Sequence, residues 1–199
     1  MEKEKKITID VINEIINGSL NIKKDFFSNK ENINNIKRVS DILIDCYNNN
    51  GKTIIFGNGG SAADSQHFAA EMVVRFEKER RSLPCIALST DTSILTASAN
   101  DYSFDFIFSR QIQAFAQAKD VVIAISTSGN SKNVLNAVNI AKEKGLFVIA
   151  LTGCNGGMLS KVSDISLIVN TNITARIQEV HIMIIHIICK LVEDYFFEK

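Results

Sequence analysis

The chain has 199 residues, of which 46% are hydrophobic and 22% are charged. That length supports one sizeable hydrophobic core and is short for two. The 22 basic and 22 acidic side chains give a formal net charge of zero, so no overall field attracts the protein to nucleic acid or to a membrane surface. These properties predict a single domain over residues 1–199, without nucleic acid or membrane as a partner. Two local basic clusters, Lys3–Lys6 and Lys78–Arg81, are diluted by glutamate and are expected to be solvated.

The cysteines and the N-terminus both bear on location. The four cysteines lack CxxC spacing, and two of them, Cys85 and Cys189, lie in apolar runs where a thiol behaves as a small hydrophobe. This usage is typical of a reducing compartment. The first residues carry mixed charge and lack the apolar core of a signal peptide. We therefore expect a cytoplasmic protein.

The first 50 residues predict an N-terminal helical extension of two helices. The apolar positions of the first helix are Ile7, Ile9, Val11, Ile12, Ile15 and Ile16. Those of the second helix are Ile36, Val39, Ile42, Leu43 and Cys46.

After Gly51 the pattern changes to short apolar runs that alternate with longer stretches of helical spacing. The runs are Thr53–Phe56, Cys85–Leu88, Val121–Ile125, Phe147–Leu151 and Ile165–Val169. Continuous hydrophobicity is typical of strands covered on both faces, and alternation with helices favours a parallel sheet with right-handed crossovers. The chain closes with a helix from about Thr174 to Phe196. The predicted fold is α/β, a three-layer αβα sandwich with a five-stranded parallel sheet.

Ligands of such sheets bind beyond the carboxyl ends of the strands. The loop after the first strand reads Gly57-Asn-Gly-Gly-Ser61; its glycines permit a tight turn, and Ser61 could cap the next helix. Gly57-x-Gly59-x-x-Ala62 also fits a dinucleotide-binding form. The sequence leaves open whether this loop holds a ligand or is a tight turn without one.

The loop after the third strand, Ser126-Thr-Ser-Gly-Asn-Ser131, carries four hydroxyls around a glycine. It precedes a predicted helix over about Lys132–Lys144, whose free N–H groups and dipole favour an anion. Helix capping by Ser128 or Ser131 is the alternative, but capping needs only one hydroxyl. We therefore predict a phosphate site here, whereas the glycine-rich segment Thr152–Gly157 predicts a simple turn.

His67 and Glu71 share one face of the helix that follows the first loop. Their i, i+4 spacing suits a metal or an acid–base pair, although such pairs are commonly surface hydrogen bonds. The closing helix offers Gln178 and His186, separated by two turns plus about 80°. His186 lies among isoleucines, where an imidazole needs a partner. Whether the two helices meet is left open by the sequence.

Taken together, these residues resemble the phosphoheptose isomerases of the sugar isomerase (SIS) superfamily, over nearly the whole chain. The Ser126–Ser131 loop alone indicates only a sugar-phosphate-binding fold, and the combination of motifs is what makes the resemblance specific. The motifs are GNGGSxxDxxHFxxE from Gly57 to Glu71, Asn100-Asp101, STSGNS from Ser126 to Ser131, and RIQExH from Arg176 to His181 with His186.

The resemblance implies the SIS (flavodoxin-like) fold and a homotetramer with active sites at subunit interfaces. It implies one Zn²⁺ per subunit, held by His67, Glu71, Gln178 and His186. The implied reaction converts sedoheptulose 7-phosphate to D-glycero-D-manno-heptose 7-phosphate, a heptose precursor of surface polysaccharide. The implied substrate contacts are Asn58, Gly59, Gly60, Glu71, Asn100, Asp101, Ser126, Thr127, Ser128, Ser131 and Gln178.

Aldose–ketose isomerisation through an enediol needs paired proton transfers, and our hypothesis assigns them to Glu71 and His186 as catalytic residues. Ser103 departs from the resemblance, since relatives usually have glycine there, and this affects the expected loop geometry. Two other functions remain open. A non-catalytic sugar-phosphate binder, or a protein that binds the replication initiator, would not need the Glu71–His186 pair, and a dinucleotide oxidoreductase would leave the histidines unexplained.

Overall fold

The computed structural model describes residues 7–197, and the basic cluster Lys3–Lys6 lies outside the described residues. The predicted N-terminal helices are present as α1 (Ile9–Ser28) and α2 (Lys30–Asn48). Thr8 caps α1 by accepting from Val11 N at 3.3 Å, and Asn29 caps α2 by accepting from Glu31 N at 2.8 Å. Side-chain caps of this kind satisfy N–H groups that have no partner within the helix.

The two helices differ in what they bury. The apolar stripe of α2 is packed into the core, with Val39 and Leu43 fully buried. The apolar positions that predicted α1 are exposed in the single chain; Ile9 is 75% exposed and Ile12 is 48% exposed. The period of α1 therefore predicts the helix correctly, but the isoleucines of its first half stay exposed, and α1 joins the core only near its C-terminal end, at Ile22, Phe26 and Phe27.

All five predicted strands are confirmed in one parallel sheet. They are β1 (Thr53–Gly57), β2 (Cys85–Ala87), β3 (Val121–Ser126), β4 (Phe147–Gly153) and β5 (Ile165–Val169). The strand order is β2-β1-β3-β4-β5, so the order reverses between β1 and β3. That reversal is the position at which sheets of this class bind ligands. Because Gly57 is in register with Ile125, the two loops singled out in the sequence lie side by side at this point.

Helices cover both faces of the sheet, which confirms the three-layer sandwich. The helices after β1 are α3 (Gly60–Val73), α4 (Thr92–Asp101), α5 (Ser109–Phe115), α6 (Lys132–Glu143), α7 (Leu159–Val162) and α8 (Thr174–Phe197), with a 3₁₀ turn at Phe104–Phe106. One core lies between the sheet and the layer formed by α2, α3 and α8. The other core lies between the sheet and the layer that contains α5 and α6, with α4 packed at its side.

Arg80 corrects one expectation about the surface. Within Lys78–Arg81 its side chain is only 1% exposed, and it pairs at 2.8 Å with Glu193, whose side chain is fully buried. The expected solvated face is therefore wrong for Arg80. The reason is that its countercharge comes from α8, more than a hundred residues later, and not from the neighbouring glutamates.

All four cysteines are free thiols, and Cys85 and Cys189 are buried as predicted. Burial raises the pKa of the Cys46 thiol to about 11, so this group stays protonated and unreactive at neutral pH. Within residues 7–197, no helix combines the length and apolar character that crossing a membrane requires.

Candidate active site

The turn after β1 is built by glycine. Gly59 has φ +56° and occupies the N-cap of α3 without a side-chain cap. The prediction that Ser61 caps this helix is therefore wrong, because α3 begins at Gly60 and Ser61 is a buried residue of its first turn. A Cβ on Gly60 would lie 2.3 Å from Gln178 Nε2, so a glycine here lets the Gln178 side chain lie directly against the turn.

Three hydroxyls converge in the loop after β3. Ser126 Oγ lies 3.0 Å from Ser131 Oγ and 3.4 Å from Ser128 Oγ. Ser131 occupies the N-cap of α6 but makes no capping hydrogen bond, and Ser128 Oγ accepts from Asn130 N at 3.2 Å within the loop itself. The hydroxyls are thus turned toward one another and not toward the helix, which favours the anion site over capping.

Asn133 ties the two loops together and was missed by the sequence reading. Asn58 Nδ2 donates to Asn133 Oδ1 at 2.9 Å, and Asn133 Nδ2 donates to Asn58 Oδ1 at 2.8 Å. Asn133 is 2% exposed and Asn58 is half-buried, so this reciprocal amide pair is partly shielded from water. An asparagine in the first turn of a helix gives no sequence signal for such a contact.

The predicted turn is present over residues 154–157, while Thr152 and Gly153 still belong to β4, and this turn also supports the loop Ser126–Ser131, here called the hydroxyl loop. Gly129 has φ +66°, and a Cβ there would lie 2.1 Å from Gly156 O. Leu159 N donates to Gly129 O at 2.9 Å, and Met158 N donates to Asn130 Oδ1 at 3.0 Å. The two loops therefore approach each other backbone to backbone, and only glycine fits at that contact.

The structure brings α3 and α8 together at the histidines. His67 Nε2 lies 2.9 Å from His186 Nε2 and 3.3 Å from Glu71 Oε1. The His67 side chain is 42% exposed and that of Glu71 is 20% exposed, so the cluster lies at the surface. Among the four residues predicted as metal ligands, His67 thus contacts both Glu71 and His186, and His186 has a polar partner.

Gln178 lies apart from this cluster. Its side chain contacts Gly60, and eight residues along α8 correspond to a rise of about 12 Å from His186. Within residues 7–197, no group of three or more His, Cys, Asp or Glu side chains has the arrangement of a metal site. The zinc site therefore stays a prediction, and Gln178 is the member of the predicted set that this chain does not bring to the others.

Asp64 is a further titratable group of the site that the sequence reading did not select. Burial raises its pKa to about 6, and the nearby His67 offsets part of that rise. Its Oδ2 atom is buried and has no hydrogen-bond partner among the residues that the structure describes. Asp64 precedes His67 by three positions, so the helical period places both on one face; that spacing was the available signal.

Asn100 and Asp101, which were predicted as substrate contacts, lie apart from both the hydroxyl loop and the histidine cluster. They end α4, which packs on the opposite face of the sheet from α3 and α8. Asn100 Nδ2 donates to Asp101 Oδ1 at 2.9 Å, and Asp101 lines a cavity of about 340 Å³ that contains neither His67 nor Ser126. Ser103 has φ 177°, an extended conformation that any residue adopts, so serine in place of glycine causes no backbone strain.

The dinucleotide interpretation of the first loop requires an acidic residue after β2 to bind a ribose. Asp91 is the acid in that region, and its Oδ1 caps α4 by accepting from Ile94 N at 2.9 Å. The expected ribose ligand is therefore already used within the fold.

Comparison with known proteins identifies the family to which this chain belongs. The SIS domain model matches residues 21–153. The phosphoheptose isomerase of Sulfurimonas denitrificans is 50% identical over 186 residues, which cover 94% of this chain and 95% of that protein. The chain belongs to the phosphoheptose isomerase family.

Solved phosphoheptose isomerase structures have the same fold. The enzyme from Neisseria gonorrhoeae superposes with a TM-score of 0.87 at 41% identity, covering 93% of this chain and 98% of that one. The enzyme from Francisella tularensis gives a TM-score of 0.90 at 35% identity, covering 95% and 100%. The predicted family and fold are thus confirmed.

Proposed function

We propose that this phosphoheptose isomerase family member converts sedoheptulose 7-phosphate to D-glycero-D-manno-heptose 7-phosphate. The observation that carries the proposal is the contact of His186 with His67, and through it with Glu71, on the helix that starts at the ligand-binding edge of the sheet. About 10 Å of helix separates Gly60 from His67. That distance suits an extended sugar phosphate with its phosphate at one end and its carbonyl at the other.

The phosphate end is assigned to the hydroxyl loop. Ser126, Thr127, Ser128 and Ser131 offer donors at the start of α6, where the helix dipole favours a dianion. The turn of Asn58, Gly59 and Gly60 faces the same edge, with Gln178 against it, and these groups suit the hydroxyls of the sugar. None of them brings a fixed positive charge, so the phosphate is held by hydrogen bonds and by the helix dipole.

The chemical end is assigned to Glu71 and His186. One group of this pair removes a proton from C1 of the ketose while the carbonyl oxygen at C2 gains a proton, which forms the enediol. A proton is then returned to C2 as the hydroxyl at C1 loses one, which forms the aldose. A well-placed acid or base contributes about 10²–10⁴-fold, or roughly 3–5 kcal/mol of barrier. His67 contacts both groups and can relay protons between them.

We further propose one Zn²⁺ per subunit, held by His67, Glu71 and His186; Gln178 is the fourth ligand of the predicted set, although its side chain lies against Gly60 in this chain. His67 Nε2 lies 2.9 Å from His186 Nε2 and 3.3 Å from Glu71 Oε1, and imidazole nitrogens and carboxylate oxygens are donor types that zinc prefers. When bound, the ion would act as a Lewis acid on the substrate carbonyl. Elemental analysis should find zinc that His67→Ala and His186→Ala lose; full occupancy in both variants would contradict the ligand assignment.

We also propose a homotetramer with its sites at subunit interfaces. A groove of about 280 Å³ beside His186 is lined by Phe76, Met183, Ile187 and Leu191, and α1 exposes a row of isoleucines. Exposed apolar patches of this kind mark interaction surfaces. Since Asn100 and Asp101 lie on the other face of the sheet, their role as substrate contacts would be in the site of a neighbouring copy.

The product is proposed to serve as the heptose precursor of surface polysaccharide, in the cytoplasm. An assay of the purified protein with sedoheptulose 7-phosphate, zinc and an intact oligomer tests the enzymatic proposal through the appearance of the aldose. A non-catalytic sugar-phosphate binder would bind the ketose without turnover, and that result would contradict the isomerase proposal.

A further inference from the structure

We propose that Arg80 and Glu193 are positioning residues of this active site. Together they fix the position of Glu71 relative to His186. This inference rests on the proposed isomerase function. It concerns a buried ion pair that neither contacts the hydroxyl loop nor belongs to the His67–Glu71–His186 cluster.

The Glu193 carboxylate organises the segment that follows α3. Its Oε1 accepts from Phe76 N at 3.0 Å, and its Oε2 accepts from Glu77 N at 2.8 Å and Lys78 N at 3.0 Å. Burial acts to raise the pKa of Glu193, but these N–H donors and Arg80 hold it below its usual range. The turn over residues 76–78 is thus folded around one anion that belongs to α8.

Arg80 connects this carboxylate to the catalytic end of α3. Its Nε donates to Glu193 Oε1 at 2.8 Å. Its two terminal nitrogens donate to Glu71 O at 2.7 Å and Met72 O at 2.9 Å. These carbonyls belong to the last turn of α3, where a cation also interacts favourably with the helix dipole. The guanidinium therefore fixes the backbone that carries the Glu71 side chain.

The same segment also reaches His186. The Phe76 ring lies 5.7 Å from the His186 ring, and the backbone N–H of Phe76 is one of the Glu193 donors. Glu193 itself follows His186 by two turns of α8. One ion pair therefore fixes the backbone of Glu71 on one side and the aromatic wall of His186 on the other.

A buried ion pair is a poor source of stability, because desolvation offsets most of its attraction. Here both carboxylate oxygens and all three guanidinium nitrogens have partners. Such a pair chiefly specifies geometry, and the geometry it specifies is that of Glu71 and His186.

The test uses Arg80→Lys and Glu193→Gln in the full-length protein, with Lys78→Met as the matched control. Lys78 pairs with Asp194 at 2.7 Å, so the control removes an ion pair between the same segment and the same helix without touching the Glu71 carbonyl. For both test variants we expect kcat to fall by about 10- to 100-fold, as for a small misplacement of reacting groups. KM should change little, because the hydroxyl loop lies on other elements, and the control should keep both constants.

A second readout is independent of turnover. The chain has three histidines, and His181 is buried with Nε2 bonded to Thr152 O at 3.1 Å. In NMR spectra of histidine-labelled, metal-free protein, we expect the ring signals of His67 and His186 to shift in the test variants, while those of His181 stay in place. If Arg80→Lys fails to fold, Glu193→Gln provides both measurements.

Unchanged kcat and unshifted His67 and His186 signals in a folded test variant would overturn the positioning role. Equal effects in Lys78→Met, or a shift of His181, would also overturn it, because they indicate general destabilisation. If the wild-type protein lacks activity, the proposed function fails separately. The histidine signals then still decide whether the ion pair positions these rings.

Discussion

The two ends of the proposed site are built in different ways. The hydroxyl loop and the Gly57–Ser61 turn are each short segments, joined within one chain by the Asn58–Asn133 amide pair and supported by Gly156. The His67–Glu71–His186 cluster depends on two helices distant in sequence, lies at the surface, and adjoins an apolar groove. Under the proposed assignment, the phosphate end is built within one copy, whereas the chemical end lies at the surface that the proposed oligomer would cover.

The largest expected effect separates chemistry from binding. Glu71→Gln and His186→Gln should each lower kcat by about 10²–10⁴-fold, since each removes a proton-transfer group. Binding of the sugar phosphate should persist, because the hydroxyl loop is unchanged. Steady-state kinetics and calorimetric titration measure the two properties. A wild-type rate in either variant would exclude that residue from proton transfer.

A substitution at Gly129 is expected to weaken substrate binding and to leave the proton-transfer groups in place. In Gly129→Ala, the Cβ would approach Gly156 O to 2.1 Å at a φ of +66°, so the two loops must separate. We expect KM to rise by about 10- to 100-fold, equivalent to losing one charge-assisted hydrogen bond of about 1.5–3 kcal/mol.

Gly18→Ala is the matched control for the Gly129 prediction. Nothing lies within 4 Å of a Cβ at this helical position, and alanine there should be neutral or stabilising by up to about 1 kcal/mol. Equal KM values for the two alanine variants would show that the contact between Gly129 and Gly156 does not shape the phosphate end.

The contrast between the two ends also explains what the sequence could predict. Strand positions follow from short segments, so the five apolar runs were read correctly, whereas phosphate binding by the Ser126–Ser131 loop stays a prediction. Residue spacing could not predict the meeting of His67 with His186, because i, i+4 spacing describes only one helix; only the family resemblance implied it. The burial of Arg80 could not be predicted for the same reason, because its partner, Glu193, lies on a helix that is distant in sequence.

Errors also arose within short segments. Ser61 was assigned as the cap because serine is a common N-cap, but the N-cap is Gly59, whose φ is positive, and the helix starts two residues earlier than that assignment implies. The apolar period of α1 predicted the helix, but it did not indicate which other element packs against its apolar side. In the sequence, isoleucines that stay exposed have the same helical spacing as isoleucines that become buried.

A smaller effect is expected from the groove that adjoins the chemical end. Leu191 is 41% exposed, and Leu191→Glu would place an unpaired charge in the proposed interface. We expect the dissociation constant of the oligomer to rise by at least roughly tenfold, with activity lost on dilution. Tyr195→Glu, on the same helix outside the groove lining, is the control. Sedimentation of the two variants distinguishes a specific interface from a general effect of charge, and an unchanged oligomer in Leu191→Glu would contradict the proposed surface.

The smallest expected effect is on stability, at Asp64. Its pKa is raised from 3.8 to about 6 in the folded protein, chiefly by burial, so the folded state binds this proton more tightly than the unfolded state. The contribution of Asp64 to the free energy of unfolding is therefore favourable at low pH and decreases as pH rises from about 4 to 6. Partial exposure to solvent limits the loss to about 1–2 kcal/mol.

Asp64→Asn should remove this pH dependence in the metal-free protein. Urea unfolding at pH 4 and pH 7 should show the wild-type protein losing more stability between the two values than the variant, by that same 1–2 kcal/mol. The variant should also be the more stable protein at pH 7, since it no longer buries a carboxylate that lacks a partner. Parallel curves for the two proteins would mean that water reaches the Asp64 carboxylate, and that the chemical end is wetter than its buried Oδ2 atom indicates.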